Sequence, residues 1–270
     1  MLTAYEQKIL KELRDWQAEM PGWGTRLLAK PGSKVANVVQ VLIPPAALRA
    51  ALEGADRLAR KLSDQRSILK RAGVTSLTEL HDRPLETNDR LALSVSRRAL
   101  ALGGAAGAVF GIAGAAGLVA DIPTLLTLAF RTIYRTGLCY GEELPEAGTR
   151  RIGIGIFALV SANSMEEKQA ALTALQSEGE GMADAAWRDG VERVTERELA
   201  KEATIFSLQN LARSIGLNLG QRKAAGSIPV LGAAVGGAVN AWYLNDVART
   251  ARYVFQERWL RDQSIARIST

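Results

Sequence analysis

The residues able to do chemistry in this 270-residue chain are few and scattered. One histidine, His81, stands without a second histidine, a nearby cysteine or carboxylates at ligand spacing, so it offers neither a metal site nor a catalytic base. The single cysteine, Cys139, cannot form an internal disulfide. No GxSxG elbow, HExxH, CxxC or GxxxxGK[ST] occurs, and no GxGxxG follows a convincing strand. The carboxylates of most interest are Asp121 and Asp246, because each closes a long uncharged run. A paired acidic metal site would require the two to meet in space. The simpler chemistry is Asp121 as a helix N-cap and Asp246 as the ion partner of a nearby arginine such as Arg249. Arg131 and Arg135 lie one turn apart on a helical projection and would edge a polar site with Asp121. Glu142-Glu143 and Glu166-Glu167 read as solvated. No catalytic residue, cofactor or metal ligand is assigned, and an enzyme or hydrophobic-ligand binder with a pocket near Asp121, Arg131 and Arg135 stays a minor alternative.

The elements that would position these groups are two uncharged runs. The first, Ala99 to Ala120, places Gly103, Gly107 and Gly111 four residues apart, with Gly114 and Gly117 continuing the small face. The second, Ala224 to Asn245, repeats the spacing at Gly232 and Gly236. Such spacing lets another helix approach to backbone contact, in a membrane or in a soluble bundle. The strongly apolar residues of the first run contribute roughly −3 to −4 kcal/mol of insertion energy at about −0.5 kcal/mol each, and six glycines erode that. Spanning is therefore only marginally driven, which leaves reversible membrane contact and a buried core as competing readings. Asp121-Ile122-Pro123 reads as a break followed by a new helix start, with Leu125, Leu126, Ala129, Ile133 and Tyr134 facing the first run.

Around the runs, helical signals dominate. Tyr5, Ile9, Leu13 and Trp16 share a stripe of an amphipathic helix over 3–20, which closes the core or anchors at an interface through Trp16 and Trp23. A second helix is expected to start just after Pro44-Pro45 and run to about Ala72 on the spacing of Leu48, Leu52, Ala55, Leu58, Leu62 and Leu69, with Gly73 as its stop. Ser76 with Glu79, Ser164 with Glu167 and Thr195 with Glu198 have capping-box spacing. The stretch 150–164 reads as a buried helix, and a last helix runs through Val247, Ala251 and Val254 to Trp259 with a frayed tail after Arg261. Trp16, Trp23, Trp242 and Trp259 are the candidate interfacial aromatics.

Composition agrees with a compact helical chain. Hydrophobic residues make up 47% but aromatics only 6%, so packing must rest on small side chains. Mean hydropathy is +0.00, below that of a multi-span membrane protein. The start alternates charged with apolar residues instead of offering a secretory core, which points to the cytoplasm. A net charge of +6 favours anionic partners, and the lack of exposed aromatics interleaved with basic patches speaks against nucleic acid.

Several stretches carry a resemblance when taken in order: the Tyr5-Glu6 helix, AGVTSLTEL with PLETND, ADIPTLLTLAFRTIYRTGLCYG, SMEEKQAAL, and IPVLGAAVGGAVNAWYLNDVARTARYVFQERWL. Together they resemble the EcsC protein family. The resemblance implies a bacterial helical protein with membrane connections, the name-giving member being encoded beside an ABC transporter, and it supplies no catalytic residues. The expectation is a single all-α domain over 1–270, with a Gly/Ala-rich hairpin at 95–140 and a second Gly/Ala-rich segment at 224–260. It would be peripheral to the inner face of the cytoplasmic membrane, with anionic lipid or a membrane protein such as an ABC transporter as partner. A soluble interaction protein or homo-oligomer is the alternative.

Overall fold

The computed structural model describes residues 2–21, 45–112, 114–143, 152–153, 155–157, 159–160, 162, 164–176 and 229–269. Of these, 86% are helical and none lies in a strand, so the fold is all-α. Helix α1 spans Ala4–Ala18, α2 Pro45–Leu62, α3 Gln65–Ala72, α4 Leu77–His81, α5 Leu85–Ile112, α6 Gly114–Cys139, α7 Met165–Gln176 and α8 Pro229–Ser269. Residues 152–153, 155–157 and 159–160 are also helical, as expected of that stretch. Trp23, the turn after Gln176 and the Thr195–Glu198 cap lie outside the described residues.

Local chemistry sets most helix starts. Thr3 and Glu6 form a reciprocal capping box: the Thr3 hydroxyl accepts from Glu6 N at 3.2 Å and Glu6 Oε2 accepts from Thr3 N at 2.7 Å. Ser76 caps α4 by accepting from Glu79 N, although the Glu79 carboxylate reaches back to Thr75 rather than to the cap residue. Ser164 accepts from Glu167 N at 3.2 Å. At the other end of α3, Gly73 sits at φ 67, the left-handed conformation that lets the chain leave a helix abruptly.

Three expectations about helix boundaries need correction. The single helix expected from just after Pro44-Pro45 to about Ala72 is two helices, because Asp64 caps a new start by accepting from Arg66 N at 3.0 Å. Its buried face is Ala55, Asp56, Ala59 and Ile68, while Leu58 and Leu62 are exposed. Asp121-Ile122-Pro123 is no break: α6 runs from Gly114 through Pro123 to Cys139. A proline inside a helix costs about 3 kcal/mol. Packing of α6 against α2, α5 and α8 holds the helix through it. Finally, the second uncharged run and the last helix are one rod: α8 is continuous over 41 residues, about 60 Å, and passes Arg261 without ending until Ser269.

Helices α5, α6 and α8 form the centre. Asp89 near the start of α5 meets Tyr140 at the end of α6 and Gln256 on α8. Farther along, Gly103 lies against Leu244, Gly104 against Ala241, and Ala108 against Gly237. So α5 runs antiparallel to both α6 and α8, and the Gly/Ala-rich parts of all three gather at one end. The bulky core lies toward the other end, where Phe130 stacks on Phe157 at 5.5 Å, Tyr140 on Phe255 at 6.3 Å and Trp16 on Tyr253 at 4.9 Å.

Candidate functional site

The two glycine-rich runs meet each other. A Cβ on Gly237 would sit 2.9 Å from the carbonyl oxygen of Gly104, so only glycine fits at that crossing. A Cβ on Gly103 would strike only the flexible end of Leu244. Gly103 and Gly107 are buried. The backbone of Gly111, Gly114, Gly232 and Gly236 is helical, and their surroundings lie outside the described residues.

This end of the bundle is a charge-poor cap. On α5 no charge occurs from Ala99 to Ile112, on α8 none from Pro229 to Asn245, and on α6 Asp121 is the one charge from Gly114 to Phe130. The α5 portion rises about 20 Å. Its outer face exposes Ala101, Leu102, Ala105 and Val109, with Leu102 at 47% and Val109 at 65%. The first charges below the cap are Arg97 and Arg98, both exposed, on α5, half-buried Arg131 on α6, and on α8 Asp246, followed one turn later by Arg249. Arg98, Arg131 and Arg249 stand at similar heights, about two turns along each helix from the Asp89 contact. Among the described residues, no helix is long and apolar enough to cross a membrane.

Below the belt, buried charges are closed off by hydrogen bonds. Asp89 is 3% exposed and accepts from Tyr5 OH at 2.6 Å, from Tyr140 OH at 2.5 Å and from Gln256 Nε2 at 2.8 and 2.9 Å. Burial, reinforced by the Asp89 charge and hydrogen bond, pushes both phenols well above their usual range, so they remain neutral donors. One carboxylate thereby pins α1, α5, α6 and α8 together. A second, Asp56, accepts from Tyr134 OH and pairs with Arg60 Nη2 at 2.7 Å. Lys168 donates to the carbonyls of Trp16 at 2.5 Å and Glu19 at 2.6 Å, capping the end of α1, and its ammonium lies 5.1 Å from the Trp16 ring. Burial lowers its pKa, and Glu19 partly offsets that.

Sequence reasoning missed these three groups as sites of interest. The available signal was placement: Asp89 continues the stripe Leu85, Asn88, Ala92, Val95, and Asp56 the stripe Ala55, Ala59, so each carboxylate stood on a face that helical spacing turns inward.

The candidate residues named from sequence are spread over different heights. Arg131 Nε donates to Leu62 O at 3.1 Å and Arg135 Nη2 to Ser67 Oγ at 3.1 Å, so they share a seam with α2 and α3. Asp121 belongs to the cap, about two turns and more above Arg131 on the same helix, and its side chain lies outside the described residues. Arg249 bonds to Glu19 at 3.1 Å and also feels the charge of Asp246. Trp16 and Trp259 are buried at 7% and 4%, the latter donating to His81 O at 2.8 Å, so both serve the core rather than an interface; Trp242 is half-buried. Glu142 is not solvated but grips Arg258 through both oxygens at 2.7 and 3.2 Å. His81 Nδ1 lies 3.2 Å from Tyr140 O. Cys139 is fully buried and its thiol is pushed up to about 12 by desolvation. Among the described residues, no group of His, Cys, Asp and Glu is arranged to hold a metal ion.

No curated protein and no solved structure matches the chain. The family model described as the EcsC protein family matches residues 7–260 of its 270 residues. With the all-α fold and the glycine crossing of the two uncharged runs, that match places the chain in the EcsC protein family.

Proposed function

We propose that this protein attaches to the cytoplasmic face of an anionic membrane by seating its cap in one leaflet, with Arg97 and Arg98 at the level of the lipid phosphates. One observation carries the reading: three charge-poor helix ends collect at a single end of the bundle, with Val109 65% exposed directly beyond an exposed arginine pair. A rise of about 20 Å is too short to cross a hydrocarbon core of about 30 Å and long enough to occupy one leaflet. Burial of a Leu or Val side chain contributes about 1.5–3 kcal/mol, and each basic residue near an anionic surface about 1 kcal/mol. The glycine seam faces inward, so lipid would meet the Leu102 and Val109 face instead. A membrane-protein partner, such as the ABC transporter that the family resemblance implies, would meet this same surface. The protein acts by binding rather than by a reaction in this reading.

Sedimentation with vesicles tests it. The protein should pellet with vesicles containing phosphatidylglycerol at low salt, weakly with phosphatidylcholine alone, and less as salt rises. Val109→Asp combined with Leu102→Asp should abolish pelleting while leaving the fold intact. Equal absence of the unmodified protein from both pellets at low salt would sink the proposal.

A further inference from the structure

Arg71, Arg131 and Arg135 converge from α3 and α6 at the point where α2 ends. Arg131 donates to Leu62 O, the last carbonyl of α2, Arg135 to Ser67 Oγ, and Arg71 Nη1 to Ser94 Oγ at 2.9 Å. Each guanidinium carries five N–H donors, and these contacts are to neutral acceptors. Among the described residues, none of the three forms an ion pair with a carboxylate. Arg135 is only 7% exposed, which fixes one guanidinium at the floor of the cluster, while Arg71 stands at its exposed rim. The charges act on one another: burial first, then Arg131, with Arg71 adding to it, lowers the pKa of Arg135, and nearby Asp64 opposes the shift. Three positive charges thus share a seam that contains two hydroxyls and no paired carboxylate.

We infer that Arg71, Arg131 and Arg135 form a binding site for a dianionic phosphate monoester, with Ser67 and Ser94, whose hydroxyls donate to Asp64 O and Leu91 O, holding the Arg135 and Arg71 guanidiniums in place. A monoester presents three terminal oxygens and close to two negative charges, which three guanidinium edges can take together; a phosphodiester presents one charge and two free oxygens. The site lies at the height where the cap begins, since Ser94 is little more than a turn before Ala99 on α5. The monoester is therefore either the headgroup of a lipid such as phosphatidic acid or a free phosphate from solution. The lipid source rests on the membrane attachment proposed above; the site itself does not.

The test uses the full chain in two arms. In the first, pelleting is compared between vesicles containing phosphatidic acid and vesicles of equal surface charge containing phosphatidylglycerol. In the second, inorganic phosphate is titrated without lipid while the thermal midpoint is followed, with chloride at matched ionic strength as control. A lipid source predicts about tenfold tighter binding to phosphatidic acid, a difference lost in Arg71→Gln and Arg131→Gln with phosphatidylglycerol binding retained. A soluble source predicts a midpoint that rises with phosphate beyond chloride and loses that response in the same variants, whether or not vesicles are bound. Val109→Asp combined with Leu102→Asp separates the two proposals, because it should end pelleting and keep the phosphate response. Arg71 is exposed, so Arg71→Gln does not depend on a buried substitution being tolerated. Equal binding to the two lipids together with no phosphate-specific midpoint shift overturns the site, as does a preference that survives both variants.

Discussion

The two ends of the central three helices are built on opposite terms. Toward the start of α5, the contacts are large and directional: Tyr5, Tyr140 and Gln256 surround a buried carboxylate, and Phe255 stacks on Tyr140. Toward its end they are small and nearly featureless, with Gly104, Gly237, Ala108 and Ala241 in backbone proximity. The first end specifies one arrangement, since a slip of α8 by a turn would leave Asp89 without its donors. The second gains close approach and dispersion but little specificity, and Asp121 is the one charge its three helix ends carry. A molecule that must be unique in fold yet carry a charge-poor end benefits from keeping these duties apart. The same rods serve both, so the register set at the polar end is transmitted to the cap.

Substitutions can break this contrast in graded ways. The largest effect is expected at Asp89→Ala, which strands Tyr5, Tyr140 and Gln256 as buried donors; denaturant unfolding should show a loss of about 3 kcal/mol or more, at 1–3 kcal/mol per orphaned group. Next comes Gly237→Ala in the cap. Its Cβ would press on the Gly104 carbonyl, a backbone atom that cannot rotate away, so about 1–3 kcal/mol should be lost. Gly104→Ala on the opposite helix is the control, because its Cβ would meet Ala241 at an ordinary 3.8 Å and the change should be close to neutral or slightly stabilising.

Alkali should act on the polar end alone. Tyr5 and Tyr140 have raised pKa values in the folded state, so the folded protein holds protons that the unfolded one releases above its phenol pKa of 10.0. Their contribution is complete below that pH and is lost as pH rises through the folded values. Melting curves from pH 8 to 11 should show stability falling from about pH 9, where the unfolded Cys139 thiol starts to ionise, and more steeply above about pH 10, with a shallower fall in Tyr140→Phe. The smallest effect is expected at Gly54→Ala on α2, where a Cβ meets nothing within 4 Å; helix propensity alone should add about 0.5–1 kcal/mol, read as a small rise in thermal midpoint.

Much of this architecture was legible because it is local. Ser76 and Ser164 announce their helices by hydrogen bonds that span three residues, and Gly73 announces a stop by its own backbone. Helical spacing also found the buried stripe Leu125, Leu126, Ala129, Ile133 and Tyr134. What misled was local chemistry overruled by packing. Asp121 and Pro123 have the grammar of a helix start, yet the helices packed beside α6 hold it straight through both. Leu58 and Leu62 look like core and lie exposed, because Asp56 turns the other face of α2 toward Tyr134. The arginine seam was half visible: Arg131 and Arg135 share a helix, whereas Arg71 reaches them only through the fold. The Asp89 group was invisible as a group because its members stand at positions 5, 89, 140 and 256.

That dispersion bears on the order in which the chain can assemble. Helix α1 caps itself with residues three apart, but every tie that seats it is distant: Tyr5 to Asp89 spans 84 positions, Lys168 to Trp16 152, Arg249 to Glu19 230, and Gln17 to Glu257 240. Loops of that length close slowly compared with the hairpin of α5 and α6, whose arms are adjacent in sequence. On a ribosome, the described helix nearest the N-terminus would emerge early and wait until α8 is made before it can dock. Its amphipathic stripe of Ile9, Leu13 and Trp16 would be exposed throughout synthesis, a longer interval of vulnerability than any other described helix endures.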